Sequence, residues 1–487
     1  MPKRCASRRR FSAGLWAAAF CALLWPAVAP GALAAGSAEC ALQPGAAARI
    51  DALVRREIES GHVPGVSLAV GCGGTLLYAR GYGEADVARH QPARAGTTYA
   101  VGSLTKQFTA AAILLLAQDG ALSLGDRLSA YVPELDGSGS ITLRDLLQQR
   151  SGVPDYTRIP GLEPTQSIGW RAFIAAVNRL PAEFVPGSTY RYNNLNYLLL
   201  GRVVERISGE SLGAFMARRI TNSLGLDATG MLPQTQPQAI GYTLAGGAPV
   251  PATPWDPALL GGAGGLVSSA PDLVRWDAAL FGGFLAPASL AAMTEPGGLV
   301  DGYAMGWAVE RRGGERLLWH DGEVGGFQAA NAVLPSRHLY LAVLENADSL
   351  HAPTLLPETL LRELLALLEP ASAFGGLATA REHPLPADPT LAASVFAWVA
   401  QFESARIDRA SVTPALAAAL TPAALRATAA AWAGLGKPVA VDVLGHERRG
   451  ELDVYVLRLR FAGGPFVWKI SVAGDRLAGA AGIEPAR

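Results

Sequence analysis

Lysine is rare in this chain. It occurs only at Lys3, Lys106, Lys437 and Lys469, and arginine fills the other 37 of the 41 Lys+Arg positions. Lys106 stands three residues after Ser103, in the stretch "YAVGSLTKQF". A serine hydroxyl attacks poorly unless a neighbouring base takes its proton. At the start of a helix, residues i and i+3 share a face, so Lys106 can reach Ser103. Arginine cannot do this work, because it is effectively always protonated. Lysine can, once burial and positive neighbours bring its pKa down from about 10.4 toward neutrality. A helix N-terminus also favours negative charge developing at Ser103. The spacing therefore offers base-assisted nucleophilic catalysis.

Two more stretches carry reactive or polar groups. "PGSTYRYNNLNYLLLG" presents Tyr192-Asn193-Asn194 ahead of a helical pattern, and "LWHDGEVGGF" places His320-Asp321-Gly322 at the end of a strand pattern. In this order and spacing, the three motifs resemble the serine β-lactamase-like family of class C β-lactamases, D,D-peptidases, D-aminopeptidases and several esterases. The likeness runs over most of Val63–Asn346. It implies that Ser103 is the acylated nucleophile, Lys106 its partner base, and Tyr192 the proton shuttle to and from the leaving group. By the same likeness Asn194, His320 and Gly322 face the substrate, and the backbone N–H groups of Ser103 and Glu323 form the oxyanion hole. The fold it implies is α+β: an antiparallel sheet flanked by helices, with an all-helical subdomain over the serine.

His320 departs from the Lys-Thr-Gly usual in β-lactamases and D,D-peptidases of this family. A neutral imidazole is a weaker magnet for a substrate carboxylate than a lysine. The expectation is an esterase, D-aminopeptidase or related amidase, ahead of a class C-like β-lactamase or D,D-carboxypeptidase. A wall-fragment or β-lactam sensor without turnover is the reading from a different class. Gln149, in "QQRSG", stands where the family often has histidine, and the sequence assigns it no role. Gly209-Glu210-Ser211-Leu212-Gly213 matches the nucleophile elbow of α/β-hydrolases, but a helical pattern precedes it instead of a strand. Ser211 is expected to cap the next helix. No metal or nucleotide motif occurs, so no cofactor is expected.

The elements that must hold these groups are legible in outline. "IDALVRREIESG" reads as a helix, and Val66–Val70 with Thr75–Tyr82 as a hairpin around Gly73-Gly74. Leu104–Gln118 is apolar nearly all round, as for a buried helix, with Gly120 placed to end it. "GGAGGLVSSAPDLVRW" reads as a glycine loop entering a helix near Ala270. "RLLWH", "GFQAANAVL" and "LYLAVLEN" read as strands, so strands from both ends of the domain should share one sheet.

The expected organisation is a signal peptide over 1–35, a catalytic domain over 36–370, a linker over 371–389 and a small α+β domain over 390–487. In that last domain helices are expected at Thr390–Phe402 and Pro422–Trp432, followed by three antiparallel strands. The signal is a basic start, an apolar run broken by Pro26 and Pro30, and Ala32-Leu33-Ala34 for cleavage. Ser7-Arg8-Arg9-Arg10-Phe11 adds a twin-arginine pattern, so an exported protein without a stable membrane span is expected. Cys40 and Cys72 would remain after cleavage, either joined or with Cys72 buried and free. The formal net charge is zero, which argues against a nucleic-acid partner, while a small ester, amide or peptide substrate is what the family resemblance implies.

Overall fold

The computed structural model describes residues 40–482, except 60–62, 246–247, 298–301, 349–356, 375–384, most of 421–436, 450–451 and 462–463. The expected signal peptide lies outside the described residues, as does most of the helix expected at Pro422–Trp432.

A seven-stranded antiparallel sheet runs in the order β3-β2-β1-β12-β11-β10-β9. Its strands are β1 (Gly65–Cys72), β2 (Thr75–Asp86), β3 (Gln91–Pro92), β9 (Ala308–Arg312), β10 (Glu315–Val324), β11 (Phe327–Leu334) and β12 (Leu339–Glu345). Strands from both ends of the domain share this sheet, as expected, and β1 pairs with β12 at its middle, from Val66↔Glu345 to Cys72↔Leu339. Both faces of β1 are covered. Val66, Leu68 and Val70 pack with Ile50 and Val54 of α1 (Ala46–Glu59) and with Leu360, Leu361, Leu364 and Leu365 of α11 (Pro357–Leu368). Ala69 belongs instead to the larger core around α2 (Thr105–Gln118). α2 is buried on nearly every side from Thr105 to Leu116, as its all-round apolar pattern required.

Between α2 and β9 the chain builds a helical layer: α3 (Leu143–Leu147), α4 (Trp170–Val177), α5 (Asn194–Ser208), α6 (Leu212–Met216), α7 (Asn222–Leu224), α8 (Pro257–Gly264), α9 (Ala270–Ala279) and α10 (Pro287–Thr294). Short strands punctuate it. β4 (Tyr99–Ala100), β8 (Leu266–Ser268) and β5 (Gly230–Met231) form a three-stranded ribbon, and β6 (Tyr242–Ala245) pairs with β7 (Ala248–Pro251). The expected glycine loop is in fact α8, broken at Gly261 (φ 36°, ψ −133°), followed by β8. Ser211 caps α6, its side chain accepting from Ala214 N, and α5 precedes it. The elbow resemblance is therefore accidental.

Cys40 and Cys72 are joined by a disulfide. Phe374 still packs with the α11 face of the sheet, and Leu385 already pairs with Val443. Beyond it, α12 (Pro389–Glu403) and α13 (Pro414–Ala419) accompany a five-stranded antiparallel sheet. Its strands are β13 (Leu385–Pro386), β14 (Pro438–Arg449), β15 (Leu452–Phe461), β16 (Gly464–Ala473) and β17 (Arg476–Gly482). That is two strands more than the pattern suggested. Val395, Trp398, Val399 and Phe402 of α12 pack into this body's own core with Leu457, Trp468 and Ile470.

Candidate active site

Ser103 sits in a 3-10 turn, Gly102–Leu104, that runs directly into α2. Thr105 Oγ1 ties the turn down by donating to Gly102 O at 2.6 Å and accepting from Leu266 N at 3.0 Å. Lys106, one residue into α2, is 0% exposed. Its Nζ donates to Ser103 Oγ at 2.9 Å, to Asn194 Oδ1 at 2.8 Å and to Ala263 O at 2.8 Å. These three acceptors account for all the donors of an ammonium, which is how so polar a group is tolerated inside. Burial lowers its pKa from 10.5 to about 7, against a smaller upward pull from Asp321. Near neutral pH the amine is thus available as a base.

Tyr192 OH donates to the same Ser103 Oγ at 2.8 Å. Its ring lies 4.8 Å from Lys106 Nζ, a cation–π arrangement whenever the lysine is charged. Loss of hydration, chiefly, pushes the Tyr192 pKa well above 10, so the phenol keeps its proton. The motif is held by its own local structure. Asn193 caps α5, its side chain accepting from Leu195 N at 2.9 Å and donating to Val153 O at 2.9 Å. Asn194, first residue of α5, spends its side-chain oxygen on Lys106, leaving the amide nitrogen as the part that could face a substrate. Gln149, buried and in a left-handed conformation (φ 59°), accepts from Asn193 N at 3.0 Å and also from Asn196 Nδ2. The residue without a sequence-assigned role therefore anchors the Tyr192–Asn194 segment.

The third wall is β10. A Cβ on Gly322 would lie 2.2 Å from Val101 O and 2.8 Å from Ser103 N. A Cβ on Gly102 (φ 51°) would lie 2.7 Å from Glu323 N. Both glycines are needed for the serine turn to dock on the strand, and this docking brings the N–H groups of Ser103 and Glu323 to one corner. Gly322 thus acts through the side chain it lacks. His320 is 4% exposed. Its Nδ1–H donates to Asp321 O, and its Nε2 accepts from Tyr303 OH at 3.2 Å. Burial and the neighbouring Lys106 lower its pKa below 6.5, in spite of Asp321. With both ring nitrogens engaged, His320 is a poor partner for a substrate carboxylate, in line with the expectation that it attracts one less than lysine would; it braces Tyr303, whose ring packs edge-on to Tyr192 at 5.9 Å. Among the described residues, no group of three or more His, Cys, Asp or Glu side chains is arranged to hold a metal.

Sequence reasoning brought together Ser103, Lys106, Tyr192, Asn194, His320, Gly322 and Glu323, and the structure gathers all seven. It missed Ala263, Gln149, Tyr303 and Gly102. Ala263 acts through its carbonyl, which no side chain announces. Gly102 had a signal, a glycine immediately before the serine.

Comparison with known proteins places this arrangement. Residues 50–366 match the family model described as Beta-lactamase. Protein flp of Staphylococcus aureus is 28% identical over 329 residues, 63% of this chain and 64% of its own length. An unguisins hydrolase of Aspergillus campestris is 27% identical over 333 residues, 62% of this chain and 61% of its own. The chain thus spans a little under two thirds of the length of these relatives. A D-amino acid amidase from Ochrobactrum anthropi, solved with L-phenylalanine amide, superposes with a TM-score of 0.60 at 23% identity, covering 67% of this chain and 99% of that one. Its likeness is one of fold.

Proposed function

We propose that this chain, a member of the beta-lactamase family, is a serine hydrolase that opens an ester or amide of a small molecule through an acyl-enzyme on Ser103. The observation carrying the reading is the convergence of Lys106 Nζ and Tyr192 OH on one oxygen, Ser103 Oγ, at 2.9 and 2.8 Å. Ser103 Oγ attacks the carbonyl carbon while neutral Lys106 takes its proton. The oxyanion forms at the N–H groups of Ser103 and Glu323. Tyr192 gives its proton to the leaving amine or alcohol as the C–N or C–O bond breaks, and Lys106 reprotonates it. Water then hydrolyses the acyl-enzyme by the reverse path, with Tyr192 and Lys106 relaying its proton.

An esterase, D-aminopeptidase or related amidase fits better than a β-lactamase, because His320 is buried, neutral and held on both nitrogens. The similarity to an unguisins hydrolase supports hydrolytic turnover over binding alone. The export pattern at the N-terminus and the Cys40–Cys72 disulfide support an oxidising compartment outside the cytoplasm as the place of action. The test is Ser103→Ala assayed on p-nitrophenyl acetate, D-amino acid amides and a chromogenic β-lactam. Turnover of all substrates disappears while the melting temperature holds; hydrolysis surviving in that variant refutes the reading.

A further inference from the structure

β10 continues past β9, whose last pairing with it is Trp319↔Ala308. In the stretch beyond, the pleat turns His320, Gly322 and Val324 inward and leaves Asp321 and Glu323 exposed. The Asp321 side chain is 67% accessible, yet its carboxylate lies 3.8 Å from His320 Nδ1. It also adjoins Gly322, the residue packed on Ser103 N. Among the described residues no lysine or arginine pairs with it. Lys106 is enclosed by its three acceptors. Arg191, beside Tyr192 in the chain, gives its guanidinium to Glu183 at 3.0 Å. Arg311 and Arg316, at the far end of the β9–β10 hairpin, go to Glu295. Among the described residues Asp321 therefore presents a carboxylate without a salt-bridge arginine or lysine at the open edge of β10, next to the strand residue on which the serine turn docks.

We propose that Asp321 determines the specificity of this site by holding an ammonium or guanidinium group of the substrate and turning away carboxylates. The proposal rests on the serine-hydrolase reading and names the substrate class within it: esters or amides whose acyl part carries a positive charge near the scissile carbonyl. Opposite charges a few ångströms apart in a half-solvated site change affinity by about tenfold or more, and like charges do the reverse. Such a preference is the opposite of what capturing an anionic substrate needs.

The experiment uses three alkyl fluorophosphonates of equal length, ending in trimethylammonium, its neutral isostere tert-butyl, or carboxylate. Second-order rates of labelling at Ser103 are measured by intact mass for the wild type, Asp321→Asn and Asp136→Asn. Asp136 is an exposed acid of the helical layer whose loss changes the net charge equally. The wild type labels in the order ammonium, neutral, carboxylate, with an ammonium-to-carboxylate ratio of about tenfold or more. Asp321→Asn lowers that ratio about tenfold and Asp136→Asn leaves it in place. Using a ratio cancels any change in Lys106 basicity. Raising NaCl from 50 to 500 mM compresses the wild-type ratio. Equal rates in the wild type, or an unchanged ratio in Asp321→Asn, overturn the proposal while leaving the serine reading intact. Failure of the neutral probe to label at all refutes the serine reading first, and the proposal with it.

Discussion

The pH dependence of acylation follows from the burial of Lys106. With its pKa brought down to about 7, about a tenth of the lysine is neutral at pH 6, half at pH 7 and nine tenths at pH 8. The pre-steady-state rate of acylation by a p-nitrophenyl ester should therefore rise about tenfold from pH 6 to 8 and flatten by pH 9. Tyr192 does not bring the rate down in this range, since its pKa stays well above 10. Burial lowers the His320 pKa from its ordinary value, so it adds no change above the rising limb. A lysine at its ordinary pKa would give a rise of about a hundredfold over the same interval, still climbing tenfold to pH 9. Asp321 raises the Lys106 pKa, so Asp321→Asn moves the midpoint to lower pH. Lys106→Arg keeps the charge and cannot release a proton, so acylation collapses at every pH. A log-linear rise without a plateau would refute the argument, as would an active Lys106→Arg.

Other consequences are equally direct. Gly322→Ala drives a Cβ to 2.2 Å from Val101 O; a loss of labelling of about a hundredfold is expected, with about 1–3 kcal/mol of stability lost in denaturant titration. Gln149→Ala leaves Asn193 N without its acceptor. It should cost about 1–3 kcal/mol and lower kcat more than it raises KM, because Tyr192 is displaced from Ser103. Asp277, fully buried with Asn331 Nδ2 donating to it at 2.9 Å, has a pKa raised well above 3.8 by burial. Its folded-state pKa exceeds its unfolded one, so the stability it contributes is full below about pH 4 and is lost as pH rises toward the folded value. Asp277→Asn removes this dependence, and its melting temperature should gain on the wild type as pH rises from 4 toward the folded-state value, by pH 8 standing higher relative to the wild type than at pH 4. A gap that stays constant over that range contradicts the assignment.

What the sequence disclosed and what it hid divide along physical lines. Lys106 stood out because arginine fills 37 of the 41 Lys+Arg positions, and of the two only lysine can act as a base. That strands from both ends of the domain share one sheet was legible from their order along the chain, whereas the β1–β12 pairing itself appeared only in the fold. Pro257–Gly264 was misread, since "GGAG" has the poorest helix propensity short of proline, and tertiary packing supplied what propensity lacked. Gly262 packs there because a Cβ would meet Tyr197 O at 2.5 Å. β17, "RLAGAAG", carries no β-branched or aromatic residue and gave no strand signal; its pairing to β16 makes it one. Tyr303 was invisible for another reason. It lies more than a hundred residues from Tyr192, in a stretch without periodicity, and only the folded sheet brings it to His320.

The most direct measurement is intact-mass spectrometry of the folded protein after treatment with a neutral fluorophosphonate, with Ser103→Ala and Lys106→Arg alongside. The account predicts one adduct on the wild type, located at Ser103, none on Ser103→Ala, and at most slow labelling of Lys106→Arg. An unlabelled but folded wild type, or the same adduct on Ser103→Ala, would contradict it.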